Sequence, residues 1–209
     1  HAGVVGRTGS GKSSVMQALF RIVEPEAGSI LVDGIDLSQI PLEILRNRLA
    51  IISQEPVIYS TTVRENLDPD GSYPDELLWQ SLEQCLMRAT IDALPQKLKT
   101  PLAERGESFS VGQRQLLCIA RALLRSPKLL CMDEATASID NESDADVQEM
   151  IRSVFASTTT MTIAHRLHTV LDSDLIVVMD SGHLVECGPP QELLANRESA
   201  LSKMAYSAQ

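Results

Sequence analysis

Eight residues near the start of the chain, Gly6-Arg7-Thr8-Gly9-Ser10-Gly11-Lys12-Ser13, restrict the fold more than any other stretch. They match the spacing G-x-x-x-x-G-K-[ST]. Before them, Ala2-Gly3-Val4-Val5 reads as a buried strand. After them, Lys12 to Ile22 reads as a helix with Val15, Leu19 and Ile22 on one face. Glycines let the backbone curl until consecutive N–H groups point inward, which makes a cradle for phosphate oxygens. The N-terminus of the following helix adds partial positive charge. Lys12 brings a full charge suited to β and γ phosphates, and Ser13 a hydroxyl suited to Mg²⁺. The candidate phosphate-binding set is therefore Gly6, Arg7, Thr8, Gly9, Ser10, Gly11, Lys12, Ser13 and Ser14.

A local cradle matters because the chain as a whole repels anions. Its formal net charge is −10, from 18 basic and 28 acidic side chains. That balance excludes a nucleic-acid backbone as the natural partner. Aromatic residues are only 3 %, too few for a base-stacking platform. The four cysteines form no C-x-x-C pair and read as reduced thiols of a cytosolic protein. No apolar run approaches the ~18 residues of a membrane span.

Along the chain, residues 28–37 alternate around Asp33-Gly34, a hairpin signal. Pro41 is expected to start a helix through Leu49, and Leu49-Ala50-Ile51-Ile52 reads as a buried parallel strand. Residues 53–72, with Pro56, Pro69 and Gly71, read as a loop-rich joint. A helical pattern runs from Pro74 to Pro127, broken near Pro95 and at 100–108. Short apolar strands are expected at 128–132, 158–164 and 174–179, and helices at 141–155, 166–171 and 190–205. The order implies an α/β fold: a mainly parallel sheet covered by helices, with a helical insertion around 74–125.

Two further sites carry chemistry. The strand Leu129-Leu130-Cys131-Met132 ends in Asp133-Glu134, and open α/β sheets place their sites at such ends. Asp133 suits Mg²⁺. Glu134 suits the water that attacks a γ-phosphate, as base or orienter. Ser110-Val111-Gly112-Gln113 has the form of a capping box, followed by a helix with Leu116, Ala120, Leu123 and Leu124 as its apolar stripe. Gly112 in a first turn costs ~1 kcal/mol against alanine, which close approach of a ligand to bare backbone would explain.

Together, residues 6–13, Ser110-Val111-Gly112-Gln113-Arg114-Gln115 and Asp133-Glu134-Ala135-Thr136 resemble the nucleotide-binding domain of ABC transporters over nearly the whole chain. The resemblance implies a P-loop NTPase core with a mainly parallel sheet, a partial antiparallel β subdomain and an inserted helical subdomain at 74–125. It implies ATP and Mg²⁺ as ligands. Gln54 looks like the Q-loop glutamine, touching Mg²⁺ or water. Ser138-Ile139-Asp140 resembles the D-loop and His165 the switch histidine. Ser110, Gly112 and Gln113 would meet the nucleotide of another domain. The implied catalytic set is Glu134, His165 and Gln54, and the implied metal set Ser13, Gln54 and Asp133.

Gln54-Glu55-Pro56-Val57, Val63-Arg64-Glu65-Asn66-Leu67-Asp68-Pro69 and Phe109-Ser110-Val111-Gly112-Gln113 resemble subfamily C, the multidrug-resistance-associated type, and within it the second nucleotide-binding domain. Glu134, where the first domain of that subfamily commonly has another residue, together with Val111, where the common ABC pattern has glycine, implies an asymmetric pair with a non-identical partner domain in the same polypeptide. Transmembrane domains would be the other partners, and the cytoplasmic face of a membrane the location. The family stacks adenine on an aromatic residue upstream of the loop. Here only His1 to Val5 precede it, so residues 1–209 are expected to be a fragment lacking N-terminal strands. The resemblance leaves two readings open: a motor for export, or a nucleotide-sensing gate of a channel or channel regulator.

Overall fold

The computed structural model describes residues 1–103, 106–133, 141–164 and 167–207, the side chains of 141–146, 168 and 207 excepted. In chain order the elements are β1 (Ala2–Gly6), α1 (Lys12–Leu19), β2 (Leu31–Val32), β3 (Ile35–Asp36), α2 (Leu42–Arg48), β4 (Leu49–Ile52) and α3 (Val63–Leu67). There follow α4 (Asp75–Gln84), α5 (Arg88–Asp92), α6 (Val111–Leu124), β5 (Leu129–Asp133) and α7 (Asn141–Val154). The last are β6 (Thr159–Ile163), β7 (Leu175–Asp180), β8 (His183–Gly188), α8 (Pro190–Ala195) and α9 (Ala200–Ser207). They form two compact units. One comprises His1–Leu49, Leu129–Glu134 and Thr159–Gln209; the other comprises Ala50–Lys128 and Ala135–Thr158.

The first unit is built on strands in the order β5-β6-β1-β7-β8. β1 lies parallel to both β6 and β7, and β5 parallel to β6. Parallel strands covered on both faces carry continuous apolar runs, as the sequences of β1, β5 and β7 do. Val4, Met16, Phe20, Cys131, Ile163 and Met179 pack into one core cluster, which buries α1 against the sheet. Val5, Val170, Ile176, Val178 and Leu201 form another under α9. β8 was not expected. It is antiparallel to β7 and returns through Ser181-Gly182, both with positive φ (50° and 81°), as in the expected Asp33-Gly34 hairpin of β2 and β3. The Glu186 carboxylate on β8 accepts the N–H groups of Ala200 and Leu201 and so caps α9.

Helix α1 stops at Leu19 rather than Ile22. Arg21 takes a left-handed conformation, φ 47°. The Ile22 N–H donates to the Gln17 carbonyl at 2.8 Å and the Arg21 N–H to that of Ala18 at 3.0 Å, a Schellman ending. Ile22 is left 65 % exposed instead of on the buried face. Arginine serves at this strained position because its guanidinium donates to the carbonyls of Leu37 and Ile40. The helical expectation at 166–171 reduces to a 3₁₀ turn at Leu167–Thr169, and that at 190–205 is split in two at Asn196.

In the second unit, 53–72 is more ordered than a loop-rich joint. Thr62 caps α3: its hydroxyl accepts the Glu65 N–H while the Glu65 carboxylate accepts the Thr62 N–H. That backbone bond, and then the Thr62 hydroxyl, hold the Glu65 carboxyl below the usual carboxylate range. Asn66 is fully buried and donates to the Tyr59 carbonyl, the Thr61 hydroxyl and the Thr62 carbonyl. Buried Asp68 accepts the N–H groups of Ser72 and Tyr73. Val147, Met150 and Ile151 give α7 its buried stripe at helical spacing, and Phe155 just past its end continues it.

Candidate nucleotide-binding site

Register fixes the geometry of the first unit's sheet edge. Val4 on β1 and Asp133 on β5 both pair with Ile163 on β6. They therefore sit level, two strand spacings or about 10 Å apart. β1 continues two residues to Gly6 and enters the glycine loop. Just past β6, the Ala164 N–H donates to the Val4 carbonyl. The loop, Asp133 and the end of β6 thus share one edge.

Within the loop, Lys12 is buried and its ammonium donates to the carbonyls of Gly6 at 2.8 Å and Arg7 at 3.0 Å. Gly6 is sterically required: a Cβ there would lie 2.3 Å from the Met179 carbonyl oxygen and 2.5 Å from Ser10 Oγ. Ser10 is buried, its N–H donates to the Arg7 carbonyl, and its own carbonyl accepts the Gly182 N–H at 3.0 Å. Its Oγ is buried with no hydrogen-bond partner among the described residues. The start of α1 is equally bare: Gly11 precedes it in a left-handed conformation, no side chain caps it, and its first turn has no acid. Arg7, Thr8, Gly9, Ser13 and Ser14 are exposed around this cradle, and Gly11 is half-buried.

These features fit a polyphosphate. An orphaned hydroxyl costs free energy until a partner arrives, an uncapped helix start attracts anions, and Lys12 supplies the charge. Ser13 and Asp133 offer the hard oxygen donors that Mg²⁺ takes.

In the second unit, Ser110 caps α6 as expected. Its hydroxyl accepts the Gln113 N–H, and the Gln113 side-chain oxygen accepts the Ser110 N–H. Because Ser110 Oγ is used as an acceptor, its proton stays available to donate outward. Val111 is exposed and Gly112 half-buried. Of the expected stripe on α6, Ala120 is buried and Leu116, Leu123 and Leu124 are half-buried; Gln115, Leu117, Ile119 and Ala122 are buried as well, since the helix packs against both α3 and α4. Gln54 is exposed, just beyond β4. Gln115 and Arg121 reach the same segment. Gln115 donates to the Ser53 carbonyl, and Arg121 donates to those of Val57 and Asn66.

Glu134, His165 and Ser138-Ile139-Asp140 lie outside the described residues. Gly6 to Ser14 and Asp133 belong to the first unit. Gln54, Ser110, Gly112 and Gln113 belong to the second. Sequence reasoning missed Gln115, Arg121, Asn66 and the Ser181-Gly182 turn. The turn dipeptide and the Thr62-to-Glu65 spacing were visible signals. Nothing in the residue string marks Gln115 as inward-facing.

The profile of the ABC transporter family matches residues 1–137. The chain belongs to the ABC transporter family. It is 52 % identical over 97 % of its length to human "ATP-binding cassette sub-family C member 4", covering 15 % of that protein. It is 51 % identical over 94 % to rat "ATP-binding cassette sub-family C member 2", covering 13 % of it. Subfamily C is thus where this ABC chain finds close likeness. A solved "bacterial Atm1-family ABC exporter with ATP bound" superposes with a TM-score of 0.90 at 35 % identity, over 99 % of this chain and 36 % of that one. The fold is that of a P-loop NTPase. The chain spans 13–15 % of the length of these curated relatives.

Proposed function

We propose that residues 1–209 form one ATP-binding domain, with 74–125 as its helical subdomain, that drives substrate export by an ABC transporter. The observation that carries this reading is the shared sheet edge of the first unit, where an uncapped helix start, an orphaned Ser10 hydroxyl and Asp133 converge. The likeness to an exporter with ATP bound supports export over gating.

The loop from Gly6 to Ser14 grips the triphosphate, with Lys12 on the β and γ phosphates. Ser13, Asp133 and Gln54 would hold Mg²⁺, whose charge neutralises phosphate oxygens. Glu134 holds and activates the attacking water, and His165 hydrogen-bonds the γ-phosphate. Ser110, Gly112 and Gln113 face the nucleotide of a second, non-identical domain in the same polypeptide. ATP then joins two surfaces that neither domain completes alone, and hydrolysis weakens the junction. A ligand shifts such an equilibrium only through differential affinity for the two states, which the shared γ-phosphate provides. Transmembrane domains receive the motion on the cytoplasmic side through residues 54–73.

The test is Mg-ATP binding and turnover by the full-length protein. Lys12→Ala should lower affinity at least tenfold, about 1.4 kcal/mol. Glu134→Gln should keep affinity, trap the ATP-bound pair and cut kcat at least a hundredfold, in line with loss of a general base. Intact affinity in the first variant, or intact turnover in the second, would sink the proposal.

A further inference from the structure

We propose that Gln115 is the positioning residue for Gln54, tying the glutamine at the nucleotide to the helix that presents Ser110. The inference rests on the role given to Gln54 under Proposed function. Gln115 is 1 % exposed, yet it is a primary amide. Its Nε2 donates to the Ser53 carbonyl at 3.0 Å, one residue before Gln54. Its Oε1 is buried without a partner among the described residues. The amide orientation is fixed, because only the N–H side can serve a carbonyl. A leucine would fill the same space without an unsatisfied oxygen, so burial alone does not account for glutamine here.

Among the described residues, Cys118 and Arg121 on α6 reach the same segment. Cys118 Sγ donates to the Val57 carbonyl at 3.7 Å. Arg121 donates to the Val57 carbonyl at 3.0 Å and the Asn66 carbonyl at 2.6 Å, and stacks 5.2 Å from the Tyr59 ring centre. Residues 115, 118 and 121 recur every three positions and address main-chain oxygens. Gln54 is therefore bracketed by Ser53 and Val57, both fastened to α6, while its side chain stays exposed. Gln115 lies five residues from Ser110, about 7.5 Å along the helix axis. Displacement of Gln54 on nucleotide binding or release pulls Ser53, and through Gln115 it moves the helix start that Ser110 caps. The link is a contiguous set of hydrogen bonds.

A double-mutant cycle in the full-length protein tests this. Gln115→Met keeps the volume and removes the donor. It should lower kcat about tenfold with KM for Mg-ATP within about twofold, since ground-state binding is untouched. In a Gln54→Ala background the same change should do almost nothing more. Multiplicative losses in the double variant, or wild-type kcat in Gln115→Met alone, would overturn the proposal. Unchanged turnover in Gln54→Ala alone would instead overturn the reading of Gln54 beneath it. Gln115→Glu serves if the methionine variant does not fold. Burial at this position raises a carboxyl's pKa, and its protonated acid donates to Ser53 whereas its carboxylate cannot, so kcat relative to wild type should rise as the pH falls from about 8 to about 6. A flat ratio would count against the link.

Discussion

Gly6 is the tightest point of the phosphate loop, because its neighbour is the backbone of another strand. The Met179 carbonyl that a Cβ would strike belongs to β7, whose residue Met179 pairs with Gly6 in the parallel ladder. Side chains can rotate away from a new methyl group; a paired strand cannot. Gly6→Ala should therefore destabilise the domain by about 1–3 kcal/mol, the usual range for overpacking. Urea unfolding with and without Mg-ATP checks it, and stabilisation by nucleotide should also shrink. Lys12 was legible from its spacing alone. The use of its ammonium on the carbonyls of Gly6 and Arg7 was not, since it depends on how the loop closes.

Among elements, α3 is held by polar contacts more than by length. Removing the cap with Thr62→Ala should cost about 1 kcal/mol. Asn66→Ala should cost more, about 1–3 kcal/mol, because it empties a fully buried position and strands the part-buried backbone groups that Asn66 joins, the Tyr59 N–H among them. Urea titration followed by fluorescence of Trp79, the sole tryptophan, reports both within the same unit. Elements with strong local signals were readable in the sequence: β1 and its loop, the Asp33-Gly34 hairpin, the capped start of α6. Elements governed by tertiary partners were not. β8 has little burial of its own and exists because β7 offers an edge. α6 turns Gln115 inward, against its apolar pattern, because Ser53 is there to accept from it.

At the scale of the molecule, each compact unit contains a fully buried cysteine, Cys131 in one and Cys85 in the other. Burial pushes both thiols up to about 12, so neither forms thiolate near neutral pH. Cys187 on β8 is exposed. Brief alkylation of the native protein at about pH 8 should label Cys187 and spare Cys85 and Cys131, as read by peptide mass spectrometry. The candidate site was legible where one short stretch carries the chemistry, as with residues 6–13 and Asp133. It was not legible where a distant segment supports it. The Ser10 carbonyl receives its hydrogen bond from Gly182, in a turn that no nucleotide motif includes. A premature stop codon just past Asp180 would spare every signature residue named above and still remove the strut beneath the glycine loop. Damaging truncations in such a gene should therefore extend well downstream of its last recognisable motif.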